Sequence, residues 1–303
     1  MSVPAAQPDV ADGVPGPVAV ELGYASIQFS PKFLAAGPSI FEQIDAAATV
    51  GYSWLALDRH TLLAADRNGS LTELADACHE RLPCGELHAL VVSDDSAALL
   101  TDAKRLARQA ALLRAPLVLA VVKRAVTAAV VRALRVAVDT LADASPDTRL
   151  GIEFSPLFAV GTIREAQTLC ARVNRPNVGL ILDSWHFFHG DARWFDLEAL
   201  ACEQLLMVHF NDHGRLSSGG IGADKDRRLL PGAGSFPLRR FVDEIRGIGY
   251  SGRVEIEVVS PDLRKLSVAE YARLTYQAGA RFWASPATPD MPNLADEETD
   301  DGF

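Results

Sequence analysis

The sequence lacks the features that mark several large classes of protein. Its four cysteines form no CxxC pair and match no zinc-finger spacing, so we expect reduced, mostly packed thiols. No run of 18 or more apolar residues occurs, which predicts that no segment spans a membrane. The first residues carry no basic stretch and are interrupted by prolines, so we expect no secretory signal and a cytoplasmic protein. The cysteines are Cys78, Cys84, Cys170 and Cys202.

Basic residues are in the minority. The chain has 29 Lys and Arg against 39 Asp and Glu, and its formal net charge is −10. Proteins that bind nucleic-acid phosphates normally present a basic face, so we expect no nucleic-acid partner. Apolar residues make up 49% of the 303 residues, which is enough to build a large core.

The two ends of the chain differ in composition from the rest. Residues 1–18 are rich in Pro, Ala, Gly and Asp, and residues 285–303 are acidic and contain proline. Neither stretch can bury enough apolar surface to offset the entropy lost on ordering. We therefore predict two disordered tails, at 1–18 and 285–303, around one domain at 19–284.

Short apolar runs alternate with longer amphipathic stretches inside this domain. The runs predict buried parallel strands. The amphipathic stretches have the 3.6-residue spacing of helices, and the first begins with Ser39 and Glu42 at capping-box spacing. The predicted strands are 22–28, 54–57, 86–92, 116–122, 149–154, 178–182, 205–210 and 253–258. The predicted helices are 39–50, 71–81, 96–113, 127–144, 163–173, 196–201, 238–248 and 268–283.

This alternation indicates right-handed βαβ units and a parallel sheet. A doubly wound open sheet would usually show a glycine-rich fingerprint after its first strand, and the segment ELGYASIQFS has none. Eight units therefore predict a (β/α)₈ TIM barrel, whose active site lies where strands end and the following loops begin.

Polar side chains that can bind a metal ion occur at the ends of four consecutive predicted strands. Three are carboxylates and one is an imidazole, a mostly oxygen donor set that suits a hard divalent ion. We predict Mn²⁺, with Mg²⁺, Co²⁺, Fe²⁺ or Zn²⁺ as alternatives; Zn²⁺ usually prefers more nitrogen or sulfur. The four predicted ligands are Glu153, Asp183, His209 and Glu257.

Several neighbours of these residues are further candidates. His186 follows Asp183 by three residues, where a tight turn can aim both side chains inward. His213 competes with His209, but the latter lies on the more rigid strand. Glu255 shares a strand face with Glu257 one layer deeper, where an unpaired carboxylate is costly, so it needs a partner. His88 is a candidate for contacting substrate.

From about residue 21 to 284 the chain resembles the xylose-isomerase-like barrel superfamily, the sugar phosphate isomerase/epimerase group. The resemblance is carried by GIEFSP, NVGLILDSWHFFHGD, MVHFND, RLLPGAGSFPL and GYSGRVEIEVVSP, among which the L-D-x-W-H and R-x-L-P-G-x-G segments are the most specific. It implies that the four residues above are the metal ligands and that His186 lies near the substrate. It also offers two arginines for substrate contact, Arg215 and Arg228, and does not choose between them.

The resemblance implies proton abstraction next to a carbonyl, with a metal ion stabilising the enediolate. Glu153 or Glu257 would take the proton, the other would return it, and His186 would relay a proton or hold a hydroxyl. Reprotonation of the enediolate makes an isomerase or epimerase of a keto-sugar or polyol-derived ketone, which is our first prediction. Loss of a β-hydroxyl would make a lyase of the inosose or dehydroshikimate dehydratase type. The long Gly/Ser-rich loop at 216–228 resembles the loop of that branch.

A third class is a non-catalytic or endonuclease-like barrel. The endonuclease branch of the superfamily uses a three-metal cluster with additional histidines, and the acidic net charge counts against it. Members of the group often meet a partner subunit through their barrel loops, so the resemblance also implies a homodimer or homotetramer.

Overall fold

The computed structural model describes residues 20–93 and 95–284, and these contain a closed parallel barrel of eight strands. Each strand pairs with the next along the chain, and the eighth pairs with the first. The predicted (β/α)₈ barrel is confirmed, while the predicted tails lie outside the described residues. The strands are β1 (Glu21–Ala25), β2 (Trp54–Leu57), β3 (Cys84–Val92), β4 (Leu117–Val122), β5 (Arg149–Glu153), β6 (Val178–Asp183), β7 (Leu205–Phe210) and β8 (Arg253–Ile256).

Eleven α-helices surround the barrel in the described part of the chain. Each of the eight predicted helices overlaps one of them, and the predicted capping box between Ser39 and Glu42 is present at the start of the first. The helices are α1 (Ile40–Val50), α2 (Arg59–Asn68), α3 (Leu71–Glu80), α4 (Ser96–Leu113), α5 (Ala128–Ala144), α6 (Ile163–Val173), α7 (Ser184–His189), α8 (Trp194–Glu198), α9 (Gly220–Asp224), α10 (Leu238–Gly247) and α11 (Val268–Trp283).

Three of these helices were not predicted: α2, α7 and α9. Two of them begin directly after an aspartate that ends or follows a strand. The carboxylate of Asp58 accepts hydrogen bonds from the backbone N–H groups of His60 and Thr61, and that of Asp183 accepts them from Trp185 and His186. Such a cap satisfies the first free N–H groups of a helix. None of the eight predicted helices covers these two stretches, because the apolar pattern alone does not show the capping role of Asp58 and Asp183.

Two strands end at least two residues earlier than predicted. The first predicted strand, 22–28, gives way at Ser26 to a short 3₁₀ helix over Ser26–Phe29. The last strand ends at Ile256 instead of residue 258, so Glu257 lies directly after the strand. The backbone N–H of Glu257 still donates to the carbonyl of Phe210 at 3.3 Å, which ties it to β7.

Two apolar cores flank the sheet. Because successive side chains of a strand point to opposite faces, alternate residues fill the barrel interior and the rest face the helices. The interior core is small and lies around Trp54, which is fully buried. Gly23 and Gly85 make room for its ring, since a Cβ on either would lie 2.2 or 2.3 Å from a ring atom. The remaining interior residues are Ala56, Leu117, Leu119, Val121, Ile181 and Met207.

Replacing Trp54 with Ala is expected to destabilise the barrel strongly. The change empties the space that Gly23 and Gly85 leave for the ring. Large-to-small changes of buried Trp typically lower the free energy of unfolding by about 3–5 kcal/mol. The measurement is the midpoint of urea unfolding followed by circular dichroism. Phe195→Ala is a matched control, because that ring is 65% exposed and should shift the midpoint little. Equal shifts in the two variants would contradict this account of the interior.

None of the helices in the described ranges is long and apolar enough to cross a membrane. The four cysteines are free thiols; Cys78 and Cys84 are buried, while Cys170 and Cys202 are partly buried.

Candidate metal centre

The four predicted metal ligands converge at the C-terminal end of the barrel, and all are buried. The carboxylate atom Oε1 of Glu153 lies 3.3 Å from Nδ1 of His209, and Oε2 of Glu257 lies 3.9 Å from the same nitrogen. Donor atoms of Glu153, Asp183 and His209 all lie within 4.8 Å of one another. Their strand positions explain this convergence, because each side chain lies at a position that points into the barrel.

The His209 ring shows which of its nitrogens faces the centre. Its Nε2 lies 3.0 Å from Oε2 of Glu86 and 3.0 Å from Oε2 of Glu255. Carboxylates only accept hydrogen bonds, so the Nε2 proton points toward them. Nδ1 is buried and has no hydrogen-bond partner among the described residues. An unpartnered nitrogen aimed at three carboxylates is a donor set that fits a divalent cation.

Electrostatics in this centre favour a positive charge. Burial alone would lower the pKa of His209, but the carboxylates of Glu255 and Glu86 outweigh burial and raise it well above its usual value. A cation on Nδ1 would satisfy the same field that favours a second proton there. Burial raises the pKa of Glu257 to about 7, against the lowering effect of Arg228 and His209. For Asp183, burial is outweighed by Arg228, and its pKa falls below the usual range.

The two carboxylate oxygens of Asp183 have different roles. Oδ1 accepts the capping N–H groups of α7 and the side-chain amide of Asn211, at 3.2 Å for the latter. Oδ2 instead faces the centre and pairs with Nη1 of Arg228 at 2.9 Å. One oxygen therefore fixes the side chain while the other is presented to a ligand.

Arg228 is the arginine that the structure brings into the centre. Its guanidinium is buried, bridges Asp183 and the carboxylate of Glu257, and donates to the carbonyl of Glu257 at 3.3 Å. Arg215, the other candidate, is exposed on the loop after β7. Burial alone would lower the pKa of Arg228, but Asp183 and Glu257 raise it further, so the group stays charged.

The loop after Arg228 is held in place by Asp212. Its carboxylate accepts hydrogen bonds from the backbone N–H groups of Gly232, Gly234 and Phe236, at 3.0–3.1 Å. A Cβ on Gly234 would lie 2.2 Å from Oδ1 of Asp212, so only glycine fits there. The R-x-L-P-G-x-G segment is therefore folded around one carboxylate, which positions the arginine that opens it.

His186 faces Glu153 from the start of α7. Its Nε2 lies 3.7 Å from Oε1 of Glu153, and its Nδ1 lies 3.2 Å from Oγ of Ser155. Oγ of Ser155 also accepts a hydrogen bond from the backbone N–H of Leu157, so the Nδ1 side of the His186 ring is held from the segment after β5. Burial lowers the pKa of His186. The ring is therefore held through Nδ1, and its Nε2 faces Glu153 in the centre.

A second polar layer lies beneath the first, and sequence reasoning missed part of it. Glu86 and Glu255 are fully buried and face the far side of His209. His88 lies against both, with Nε2 3.2 Å from Oε2 of Glu255 and 3.5 Å from Oε2 of Glu86, and its ring stacks on His209 at 5.4 Å. A signal for Glu86 exists in the sequence: it is two residues from His88 on β3, as Glu255 is from Glu257.

His213, the competitor of His209, lies outside this cluster. Its Nδ1 is 2.9 Å from Nε2 of His189 and 2.8 Å from the carbonyl of Gly214. The structure therefore places it beside the loop after β7, away from the carboxylates that surround His209.

Fold and site together define a (β/α)₈ barrel protein with a buried cluster of carboxylates and histidines at the C-terminal end. Residues 44–285 match the family model described as xylose isomerase-like TIM barrel. The chain belongs to this family.

Curated relatives match part of the chain. The inosose isomerase of Bacillus licheniformis is 32% identical over 127 residues, which are 41% of this chain and 45% of that protein. The 3-dehydroshikimate dehydratase of Pseudomonas aeruginosa is 30% identical over 105 residues, 35% of this chain and 17% of that protein. The chain thus spans less than half the length of these relatives.

Solved structures share the fold at lower identity. The IOLI protein, in a crystal structure with a bound zinc atom, has a TM-score of 0.76 at 21% identity and covers 86% of this chain and 97% of its own. The D-allulose 3-epimerase from Methylomonas sp. has a TM-score of 0.64 at 19% identity, with 87% and 97% covered.

Proposed function

We propose that this protein is a divalent-metal-dependent isomerase or epimerase of a small polyol-derived ketone. The observation that carries the proposal is the convergence of Glu153, Asp183 and Glu257 on the unpartnered Nδ1 of His209. The inosose isomerases among the relatives support a cyclic polyol ketone as the substrate class.

The residues present can carry out a proton transfer next to a carbonyl. A divalent ion held by the four ligands would supply a Lewis acid that polarises the carbonyl. Glu153 and Glu257 flank His209 at 3.3 and 3.9 Å, so two carboxylates reach the same small volume. One takes the proton from the carbon beside the carbonyl, which yields an enediolate, and the other returns a proton to the neighbouring carbon or the opposite face.

His186 and Arg228 orient the substrate in this proposal. With Ser155 donating to Nδ1, Nε2 of His186 carries the ring proton, faces the centre and can donate to a substrate hydroxyl. Arg228 keeps its charge and holds Asp183 and Glu257 in one arrangement while its remaining N–H groups can reach a substrate oxygen. Burial of all these groups excludes water from the reacting carbon.

The second candidate function is that of a dehydratase, which would begin with the same proton removal. If the enediolate expels a β-hydroxyl before it is reprotonated, the product is one water lighter. The dehydratase of Pseudomonas aeruginosa is the relative that favours this outcome.

Turnover in D₂O distinguishes the two reactions. The metal-loaded protein is incubated with a panel of inososes, keto-sugars and 3-dehydroshikimate, and substrate and product are examined by mass spectrometry and ultraviolet absorbance. An isomerase places deuterium in recovered substrate and in a product with the same atoms, while a lyase gives a dehydrated, absorbing product. Glu153→Gln is the matched inactive control. Absence of both deuterium exchange and product from protein shown to bind metal would contradict the proposed function.

A further inference from the structure

We propose a second cation site directly beneath the first, formed by Glu86, His88, Glu255 and Nε2 of His209. We call these four groups the lower site. It shares the His209 ring with the metal centre formed by Glu153, Asp183, His209 and Glu257, which we call the upper centre. It does not depend on which reaction that centre performs.

The spacing of the four donor atoms matches a coordination shell. Nε2 of His209 is 3.0 Å from Oε2 of Glu86 and from Oε2 of Glu255. Nε2 of His88 is 3.2 and 3.5 Å from the same two oxygens, and all four donors lie within 4.8 Å of one another. A tetrahedral ion with bonds of about 2.0–2.1 Å holds its ligands roughly 3.3–3.4 Å apart.

The hydrogen bonds of the lower site are incomplete. Among its contacts, the one between His209 Nε2 and Glu86 Oε2 has hydrogen-bond geometry. Nε2 of His88, Oε1 of Glu86 and both carboxylate oxygens of Glu255 are buried without a hydrogen-bond partner in the described residues. Four donor groups that lie this close together, three of which include an atom unpartnered within the described ranges, could bind one ion. Buried carboxylates without donors are costly, and a bound cation removes that cost.

The charge and the donor atoms of the lower site also favour a divalent cation. Glu86 and Glu255 bring two negative charges into the barrel interior, and Arg228 is bound by the carboxylates of the upper centre. A divalent cation balances the two charges when neither His88 nor His209 carries an extra proton. With two nitrogen and two oxygen donors, the lower site is better suited to Zn²⁺ or Co²⁺ than the oxygen-rich upper centre. His209 would bridge the two ions through its two nitrogens, after losing both ring protons.

An ion would reach this position past the side chain of His88. Its side chain is 11% exposed, whereas the side chains of Glu86, His209 and Glu255 are fully buried. On the other side, the interior is filled by the apolar cluster around Trp54. The lower site is therefore accessible on the side of His88 and closed on the side of the apolar cluster.

Metal stoichiometry tests the proposal. The protein is stripped of metal, dialysed against excess Co²⁺, and its ions per chain are counted by mass spectrometry while the visible spectrum is recorded. We expect two ions in the wild type, one in His88→Gln and one in Glu255→Gln. Asp183→Asn should also retain one ion, but with the nitrogen-rich spectrum of the lower site. Glu270→Gln, an acidic change on α11 at a side chain that is 42% exposed and lies outside both sites, should retain two.

Folding is checked by circular dichroism, and if Glu255→Gln does not fold, His88→Gln decides because that residue lies at the edge of the cluster. A wild type that saturates at one Co²⁺ per chain, or a folded His88→Gln protein that still holds two, overturns the lower site. If the wild type binds one ion and Asp183→Asn binds none, that ion lies in the upper centre and the proposed function stands. A wild type that binds no ion overturns both proposals.

Discussion

Chelation with EDTA is expected to abolish turnover, and adding Mn²⁺ or Co²⁺ is expected to restore it. Without an ion, three buried carboxylates face one another with Arg228 and a protonated His209 as their positive neighbours. Nothing in that arrangement polarises a substrate carbonyl as a divalent ion does. Restoring the ion should also raise the melting temperature, because a ligand at 1,000 times its Kd stabilises the folded state by about 4 kcal/mol.

Two measurements check this result: turnover with and without EDTA, and thermal unfolding over a series of Mn²⁺, Co²⁺, Mg²⁺, Fe²⁺ and Zn²⁺ concentrations. Asp183→Asn keeps an oxygen that can cap α7 but loses the charge that faces the centre, so its melting temperature should respond less to the ions. Glu270→Gln should respond as the wild type does. Full activity in metal-free protein would contradict the role assigned to the centre.

The fold could be predicted because the alternation of apolar runs and amphipathic stretches is a local property of this sequence. Apolar runs such as LVLAVV in β4 are buried on both faces, and the stretches between them are long enough for helices. Helix α2 was missed for a physical reason: it is short, mostly polar, and depends on Asp58, whose carboxylate also binds Ser26 and Ser30 from the segment after β1. That tertiary contact has no local signal.

The site was predictable in part. Glu153, Asp183 and His209 end or nearly end their strands, and the ends of parallel strands meet at one rim. Glu86 was not assigned, because its partner His209 is 123 residues away and the two-residue spacing from His88 does not identify that partner. The choice between the two arginines depends on how Asp212 folds its loop, which spacing alone does not reveal.

Replacing Glu257 with Gln is expected to lower kcat by about 10²–10⁴-fold at saturating metal, the usual contribution of a positioned acid or base. The change removes the charge that pairs with Arg228 and one of the two carboxylates beside His209. Glu255→Gln should cost about 10–100-fold, because groups that act through a metal ligand typically have effects of that size. The measurement is kcat and KM for both variants over a range of Co²⁺ concentrations.

The two substitutions are a matched pair, since both exchange a buried carboxylate for an amide on the same face of one strand end. They differ in depth, because Glu257 lies after the end of β8 while Glu255 is within it and faces His88. Excess metal should recover part of the loss in Glu255→Gln, whose defect is in holding His209, but not the loss in Glu257→Gln. A larger loss of kcat in Glu255→Gln would place the reacting carbon one layer deeper, beside the lower site.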